Sequence, residues 1–397
     1  MLVKKEIELG GRIFSIETGR YAKQANGSVM VRYGDTMVLV TAVAANEAKE
    51  GLDYFPLQVE YREKTSAAGK FPGGYIKREG RPTEKEILSS RLCDRPIRPM
   101  FPESFKNETQ VIAMVMSYDG ENDPDVLAAC GASAALAISD IPFDGPIAEI
   151  RIGRIAGELV VNPTHEQLKL SDIELVVAGT SDSIMMVEGE SKEVSEQELL
   201  DALKFAQQEI KKIVDLQNQL RTEAGKTKWV VTEKSVDANL KKDVYDLAEA
   251  KFKEIVYSIL AKEERSAKNK ELSESVKKSL AEKYPEQEKV IGEILHDIEK
   301  DLMRERILKE GIRLDGRNTT QVRPITIELG NLPRTHGSAL FTRGETQSLT
   351  NVTLGTKDDE QTVDGLLAEY SKKFYLQYNF PPFSVGEVGR MTGVGRR

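Results

Sequence analysis

Cysteine and histidine are scarce in this 397-residue chain, and each shortage removes a class of chemistry. The two cysteines, Cys93 and Cys130, lie far apart without CxxC spacing, which argues against a disulfide framework and a zinc site and leaves buried reduced thiols as the expectation. The three histidines, His165, His296 and His336, form no His-x-x-x-His pair. A histidine metal site is therefore not expected, and phosphate chemistry would fall to arginines or a bound ion. Long apolar runs are missing too. Residues 1–10, MLVKKEIELG, lack the apolar stretch of a signal peptide, and no later stretch is long enough to span a bilayer. A cytoplasmic chain with no membrane partner is the expectation. An excess of positive charge is also absent: the net charge of −8 has the wrong sign for a surface that attracts nucleic acid everywhere, so phosphate binding needs local basic patches.

What is present is enough apolar sequence, 40% of residues, for two or three domains. Ser28 to Val43 holds two β-rich runs around Gly34-Asp35, which predicts a hairpin. Tyr54 to Tyr61 alternates as a further strand, and the glycines of Ala67 to Gly74 predict an irregular loop. Thr83 with Glu86 forms a capping box for a helix that the prolines of Asp94 to Pro99 should end. Asp123-Pro124 opens a second, Ala-rich helix over Leu127 to Ile138, expected to be buried. Strands are predicted at Ala148 to Ile155 and Ile173 to Ala178, and Ser195 with Glu198 caps an amphipathic helix. From Val236 to Glu310 the sequence becomes highly charged and helix-favouring, and its Lys and Glu runs read as a solvated face.

The sequence then repeats itself. Asn26-Gly27-Ser28 is matched by His336-Gly337-Ser338, and Tyr33-Gly34-Asp35-Thr36 by Arg343-Gly344-Glu345-Thr346 at the same offset. Farther on, Phe55-Pro56-Leu57-Gln58 is echoed by Phe374-Tyr375-Leu376-Gln377, and Gly69-Lys70 is paired with Gly389-Arg390. Two related cores are expected in one chain. Because the chain given stops at Arg397, the second copy is expected to lack its large helix, to leave Ala339 to Phe341 and Gln347 to Leu354 uncovered, and to be less protected than the first.

Basic residues gather around the glycine loop and the helix after it: Lys70, Lys77, Arg78, Arg81, Arg91, Arg95 and Arg98. Arg91, Arg95 and Arg98 are spaced to share one helical side, and the arginine fork suits phosphate oxygens. Two readings stay open, a phosphate-binding patch or surface arginines paired with Asp94, Glu79 or Glu84.

Phe71 to Phe101 (FPGGYIKREGRPTEKEILSSRLCDRPIRPMF), Leu332 to Gln347 (LPRTHGSALFTRGETQ) and Phe380 to Glu387 (FPPFSVGE) are similar to the polynucleotide phosphorylase family. The resemblance implies an α+β fold class: a ribonuclease PH-like core over residues 1–225, a small all-α domain over 236–310, and the start of a second such core over 311–397. It implies a homotrimeric ring around a channel for single-stranded RNA, 3′→5′ phosphorolysis with inorganic phosphate as co-substrate, and partners in RNA-degradation complexes. By family position, Tyr75, Lys77, Arg78, Arg91, Arg95 and Arg98 are RNA-binding residues, with Ile76 standing where a second aromatic is usual. Arg396 and Arg397 match arginines that approach substrate phosphates.

The same resemblance implies that the first core is catalytically silent. Gly131 to Leu136 is taken as the counterpart of the family's Ser/Thr-rich phosphate turn, and its alanines offer no hydroxyls. Asp172 and Glu174 keep acids at metal-binding positions, but Val176 replaces the lysine. The Mg2+ ligands are expected beyond residue 397. The acids Asp119, Glu121, Asp123 and Asp125 are read as loop acids and a helix cap. The fragment alone is expected to be inactive, an RNA-binding or assembly module.

Overall fold

A computed structural model of the chain describes residues 2–49, 52, 54–72, 79–231, 237–366 and 369–390. The chain is α+β and divides into two compact units, Met1–Thr232 with Asp359–Arg397, and Glu233–Asp358.

The first unit begins with β1 (Val3–Leu9), β2 (Arg12–Thr18), β3 (Gly27–Tyr33), β4 (Thr36–Ala44) and β5 (Leu57–Glu63). After α1 (Glu84–Ile97), β6 (Thr109–Ser117) completes a sheet of order β1-β2-β3-β4-β6-β5, antiparallel except for the β5–β6 pair. Next come α2 (Asp125–Ile138), β7 (Ala148–Ile155), β8 (Glu158–Val161), α3 (His165–Leu170), β9 (Ile173–Gly179), β10 (Ile184–Ser191) and α4 (Glu196–Ala224). The strands β10-β9-β7-β8 make a second antiparallel sheet. Every residue of α2 is buried, as its Ala-rich sequence predicts, and the helix packs on β3 and β4 on one side and on β7 and α4 on the other. Contact is so close at one point that a Cβ on Gly27 would lie 1.9 Å from the Ala135 carbonyl oxygen. Only glycine fits there.

The predicted β3–β4 hairpin turns at Gly34, whose φ of +61° is left-handed. The capping boxes at Thr83 and Ser195 both form. The end of α1 differs from expectation: the chain stays helical through Pro96 to Ile97 and then enters a 3₁₀ turn, Arg98–Met100. Near a helix C-terminus a proline forfeits only the bond its own nitrogen would donate, and the Arg98 amide still reaches the Asp94 carbonyl.

The second unit contains α5 (Ala238–Tyr257), α6 (Lys262–Leu280) and α7 (Glu288–Glu310). Leu240, Val244, Ala248, Phe252 and Val256 recur every four residues and form the buried stripe of α5, sharing a core with Leu272 and Val276 of α6 and Ile291 and Leu295 of α7. A three-stranded antiparallel sheet follows, β11 (Ile325–Leu329), β12 (Gly337–Arg343) and β13 (Thr346–Val352), with most residues exposed. The first unit is completed by the short pair β14 (Gln361–Val363) and β15 (Tyr370–Lys372).

The repeat is visible residue by residue. Gly27 pairs with Ala42 and Tyr33 with Thr36; Gly337 pairs with Val352 and Arg343 with Thr346. One correspondence needs correction. The 3₁₀ turn Thr65–Ala68 ends on Gly69, whose amide donates to Ser66 O while Lys70 N donates to Thr65 O. The matching pattern occurs at Pro382–Val385, where Gly386 N donates to Phe383 O and Glu387 N to Pro382 O. Gly69 and Gly386 both cap in the left-handed region, with φ of +67° and +72°. The counterpart of Gly69 is thus Gly386, not Gly389, because the turn needs glycine at the cap itself.

Candidate nucleic-acid interface

The outer surface of α1 carries Arg91 and Arg95, and Arg98 follows in the 3₁₀ turn; all three are exposed. Their surroundings differ. Arg91 makes no ion pair among the described residues. Arg95 pairs with Glu188 on β10, both side chains about half exposed. Arg98 donates two bonds to Asp94, at 2.6 and 3.0 Å, and also reaches the carbonyl of Leu57 at 3.1 Å. Exposed pairs of this kind contribute about 0–1 kcal/mol, so a phosphate can displace Glu188 from Arg95 at little cost. Arg98, tied also to the backbone at the start of β5, is the most committed of the three.

The pairing anticipated from sequence is therefore found for Arg98 with Asp94. Glu79 instead accepts from the Thr65 amide and hydroxyl and from Lys64, and Glu84 pairs with Lys372. Tyr75, Lys77, Arg78, Arg396 and Arg397 lie outside the described residues.

The interior beneath the interface departs further from expectation. Gly131 to Leu136 lies in the middle of α2, wholly buried, and the Ser133 hydroxyl accepts from the Ile147 amide. This stretch is not where α2 starts and cannot be a phosphate turn. The helix opens instead at Asp123-Pro124-Asp125, where the Asp125 carboxylate accepts from the Val126 amide. Carboxylates therefore occupy the positive end of the helix, which would otherwise favour an anion.

Asp123 lies in the loop before α2 and accepts from the Asp125 amide at 3.4 Å, as loop and cap acids do, but both it and Asp125 also belong to a partly buried ion network. Arg151 on β7 reaches Asp125 at 2.5 Å and Asp123 at 3.7 Å and also binds Glu174 on β9. Lys85 of α1 bridges Glu63 and Asp123. Burial opposes the Lys85 ammonium, but Asp123 and Glu63 outweigh it and its pKa rises above the usual lysine value. Burial pushes Asp125 up to about 6 against the pull of Arg151. Asp119 is likewise a loop acid, accepting from the amides of Glu121 and Asn122.

Asp172 is held by Arg154 at 2.7 and 2.9 Å, Glu174 by Arg151, and Val176 is buried. Among the described residues no group of three or more His, Cys, Asp or Glu is placed to hold a metal ion. The described part of the first core does not fit a magnesium site. Cys93 and Cys130 are free, buried thiols, and burial raises both. Among the described residues no helix is long and apolar enough to cross a membrane. Sequence reasoning missed Arg151, Lys85 and Glu188, whose partners lie on other elements and leave no local signal.

Comparison with known proteins agrees with this architecture. A sequence model described as "3' exoribonuclease family, domain 1" matches residues 10–142 and 321–397, more than half of the chain. The chain belongs to the 3′ exoribonuclease family. Domain 2 of the same family matches residues 145–209, and the RNA-binding domain of polyribonucleotide nucleotidyltransferase matches residues 239–318. The polyribonucleotide nucleotidyltransferase of Geobacter sulfurreducens is 53% identical over 394 residues, covering 99% of this chain and 56% of the relative. That of Chlorobaculum parvum is 52% identical over 415 residues, covering 100% and 57%. The chain spans a little over half the length of the curated relatives it matches. A crystal structure of rice (Oryza sativa) Rrp46 aligns at a TM-score of 0.42 and 15% identity, over 52% of this chain and 93% of that one.

Proposed function

We propose that this chain works in a 3′→5′ phosphorolytic exoribonuclease that degrades single-stranded RNA, including mRNA, in the cytoplasm. Inorganic phosphate attacks the last phosphodiester, the bond to the neighbouring 3′ oxygen breaks, and a nucleoside diphosphate leaves; the reverse reaction extends RNA. The observation carrying this reading is the order of the matched segments: a two-part family core, the RNA-binding segment over residues 239–318, and a second copy of domain 1. The working form in this proposal is a homotrimer, associated with other RNA-degrading proteins. Magnesium is part of the proposal only with ligands outside the described residues.

Within residues 1–397 the first core is a silent, RNA-guiding module. This second reading is favoured by the carboxylates at the start of α2 and by the arginines on Asp172 and Glu174. Tyr75, Lys77, Arg78, Arg91, Arg95 and Arg98 grip the RNA backbone and bases, and Arg396 and Arg397 approach substrate phosphates. Residues 239–318 add RNA contact, although two lysines of α6, Lys268 and Lys270, pair with glutamates of the same helix.

The test uses poly(A), phosphate and magnesium. Residues 1–397 should bind RNA with strong salt dependence and release no nucleoside diphosphate, whereas a protein of the relatives' full length containing this chain should release it. Diphosphate release by residues 1–397 would overturn the silent-core reading, and no release by the longer protein would overturn the enzyme. Arg91→Ala is the clean probe of the interface, because no ion pair among the described residues is lost: affinity should fall and the salt slope should shrink by about one phosphate contact. Unchanged affinity and slope would remove Arg91 from the interface.

A further inference from the structure

Three tyrosines of the α5–α7 bundle have a cation over the ring, and their settings differ. Lys241 Nζ lies 5.9 Å from the centre of the Tyr245 ring, one turn along α5, and Lys283 Nζ lies 5.3 Å from the ring of its neighbour Tyr284. The Tyr284 hydroxyl donates to Asp243 at 2.8 Å, and the same carboxylate binds Lys283, so an acid already holds both groups there. Tyr257, the last residue of α5, draws its cations from two helices. Lys253 Nζ of α5 is 5.9 Å from the ring centre, and the Arg306 guanidinium of α7 is 5.4 Å from it. Arg306 is 3% exposed and donates to the Val256 carbonyl, so it is fixed against the half-buried ring and covers the carbonyl end of α5, which would otherwise repel a phosphate. Glu310 lies 3.5 Å from its Nε. Lys253 and Lys309, in contrast, are exposed. Glu305 pairs with Lys309 and is drawn more weakly by Lys253, and after Glu305 the Tyr257 oxygen adds a weaker pull on Lys309. An exposed lysine–glutamate pair of this kind contributes about 0–1 kcal/mol, so RNA phosphates can displace Glu305 at little cost.

We infer that Tyr257 is a base-stacking platform for single-stranded RNA on the helical bundle, with Lys253 and Lys309 as its phosphate contacts. Arg306 is a positioning residue: it holds the ring and does not touch RNA. A stacked base needs an aromatic face that water can reach, and the backbone on either side of that base needs mobile cations close by. Tyr257 offers both, whereas the cation at Tyr284 is committed to Asp243 and Tyr245 has Lys241 from its own helix. Every base has a π-face, so the contact is tolerant of sequence. The inference rests on the proposal that residues 239–318 contact RNA.

The experiment irradiates residues 1–397 bound to a single-stranded oligouridine that carries 5-iodouridine and maps the cross-linked peptides by mass spectrometry. A cross-link is expected at Tyr257 and not at Tyr245 or Tyr284. It is read on the unmodified chain, so it does not depend on the folding of a variant. Tyr257→Leu keeps an apolar side chain but no π-face and should weaken RNA affinity about tenfold, whereas Tyr257→Phe should bind like the unmodified chain. Lys253→Ala should shrink the salt slope by about one phosphate contact. RNA bound without a cross-link at Tyr257, or unchanged affinity for Tyr257→Leu, overturns the platform while leaving the RNA reading intact. Absence of RNA binding by the unmodified chain overturns the RNA reading and this inference with it.

Discussion

Hairpin β3–β4 and hairpin β12–β13 share register, and both turn on a left-handed glycine, Gly34 with φ +61° and Gly344 with φ +59°, yet one is buried and the other is not. Val31, Val38 and Val40 have no exposed surface, whereas their matches are exposed, Phe341 at 37% together with Ser348 and Thr350. The Val31–Val38 and Val29–Val40 pairs become Phe341–Ser348 and Ala339–Thr350 in the second copy. Register and turn are local properties, set by alternation and by a glycine in the right place. Burial is not local: α2 supplies it for the first hairpin, while β12 and β13 stay largely exposed. Each valine fully buried this way adds about 1.5–3 kcal/mol that the uncovered strands do not gain.

The largest expected difference between the copies is at the matched glycines. A Cβ on Gly27 would overlap the Ala135 carbonyl, which helix α2 holds in place, whereas one on Gly337 would meet only Val352, at 3.7 Å. Gly27→Ala should destabilise the first unit by about 3 kcal/mol or more, and Gly337→Ala should stay within about 0.5 kcal/mol. Trp229, packed near Phe105, reports unfolding of the first unit in denaturant, and exchange across Gly337 to Val352 reports the other hairpin. Equal effects would mean that α2 does not distinguish the copies. The next contrast is electrostatic. Arg151→Ala leaves the buried Asp125 without its guanidinium, while Asp123 keeps Lys85, and should cost about 3 kcal/mol in the same denaturation experiment. Lys262→Ala removes an exposed partner of Glu345 at the second turn and should leave stability unchanged. A small loss for Arg151→Ala would show that Asp125 reaches water.

The same division separates what the sequence makes legible from what it does not. The hairpin, the capping boxes at Thr83 and Ser195, the apolar α2 and the repeat are written in neighbouring residues, and each is found. β6 carries a signal of the same local kind, since Thr109, Val111, Ala113 and Val115 alternate on the buried side. The role of Asp123 and Asp125 was not legible, because Arg151 approaches them from another element, and in sequence they look like ordinary loop acids. Glu149 is a similar case. It is fully buried with both carboxylate oxygens unpartnered, and burial holds its pKa well above the usual range, yet an isolated glutamate in a predicted strand gives no hint of this. For the interface, clustering marked the arginines, but only the fold separates Arg91, which has no ion pair among the described residues, from Arg98, which is clamped to Asp94 and Leu57.

The smallest expected effect concerns the two turns in acid. Asp119 accepts from the Asp35 amide at 3.1 Å, so a carboxylate outside the hairpin braces the first turn. Burial alone would raise its pKa, but bonds from Asn122, Glu121 and Thr36 outweigh burial and hold it at about 2. An aspartate depressed below its unfolded value of about 3.9 contributes stability above that value and loses it as pH falls towards 2. The brace should therefore be intact at pH 5 and released between about pH 4 and pH 2, at a cost well under about 1 kcal/mol because Asp119 is only partly buried. At the second turn, Glu345 is lowered by its bond to Lys262, but that pair is exposed and should respond to salt rather than persist in it. Amide chemical shifts followed against pH separate the cases. The Asp35 amide should titrate with a midpoint near 2 in both low and high salt, and Asp119→Asn should abolish that step. The Glu345 amide should lose its low-pH response when salt is added. An Asp35 amide step that survives Asp119→Asn would remove the brace from the first turn.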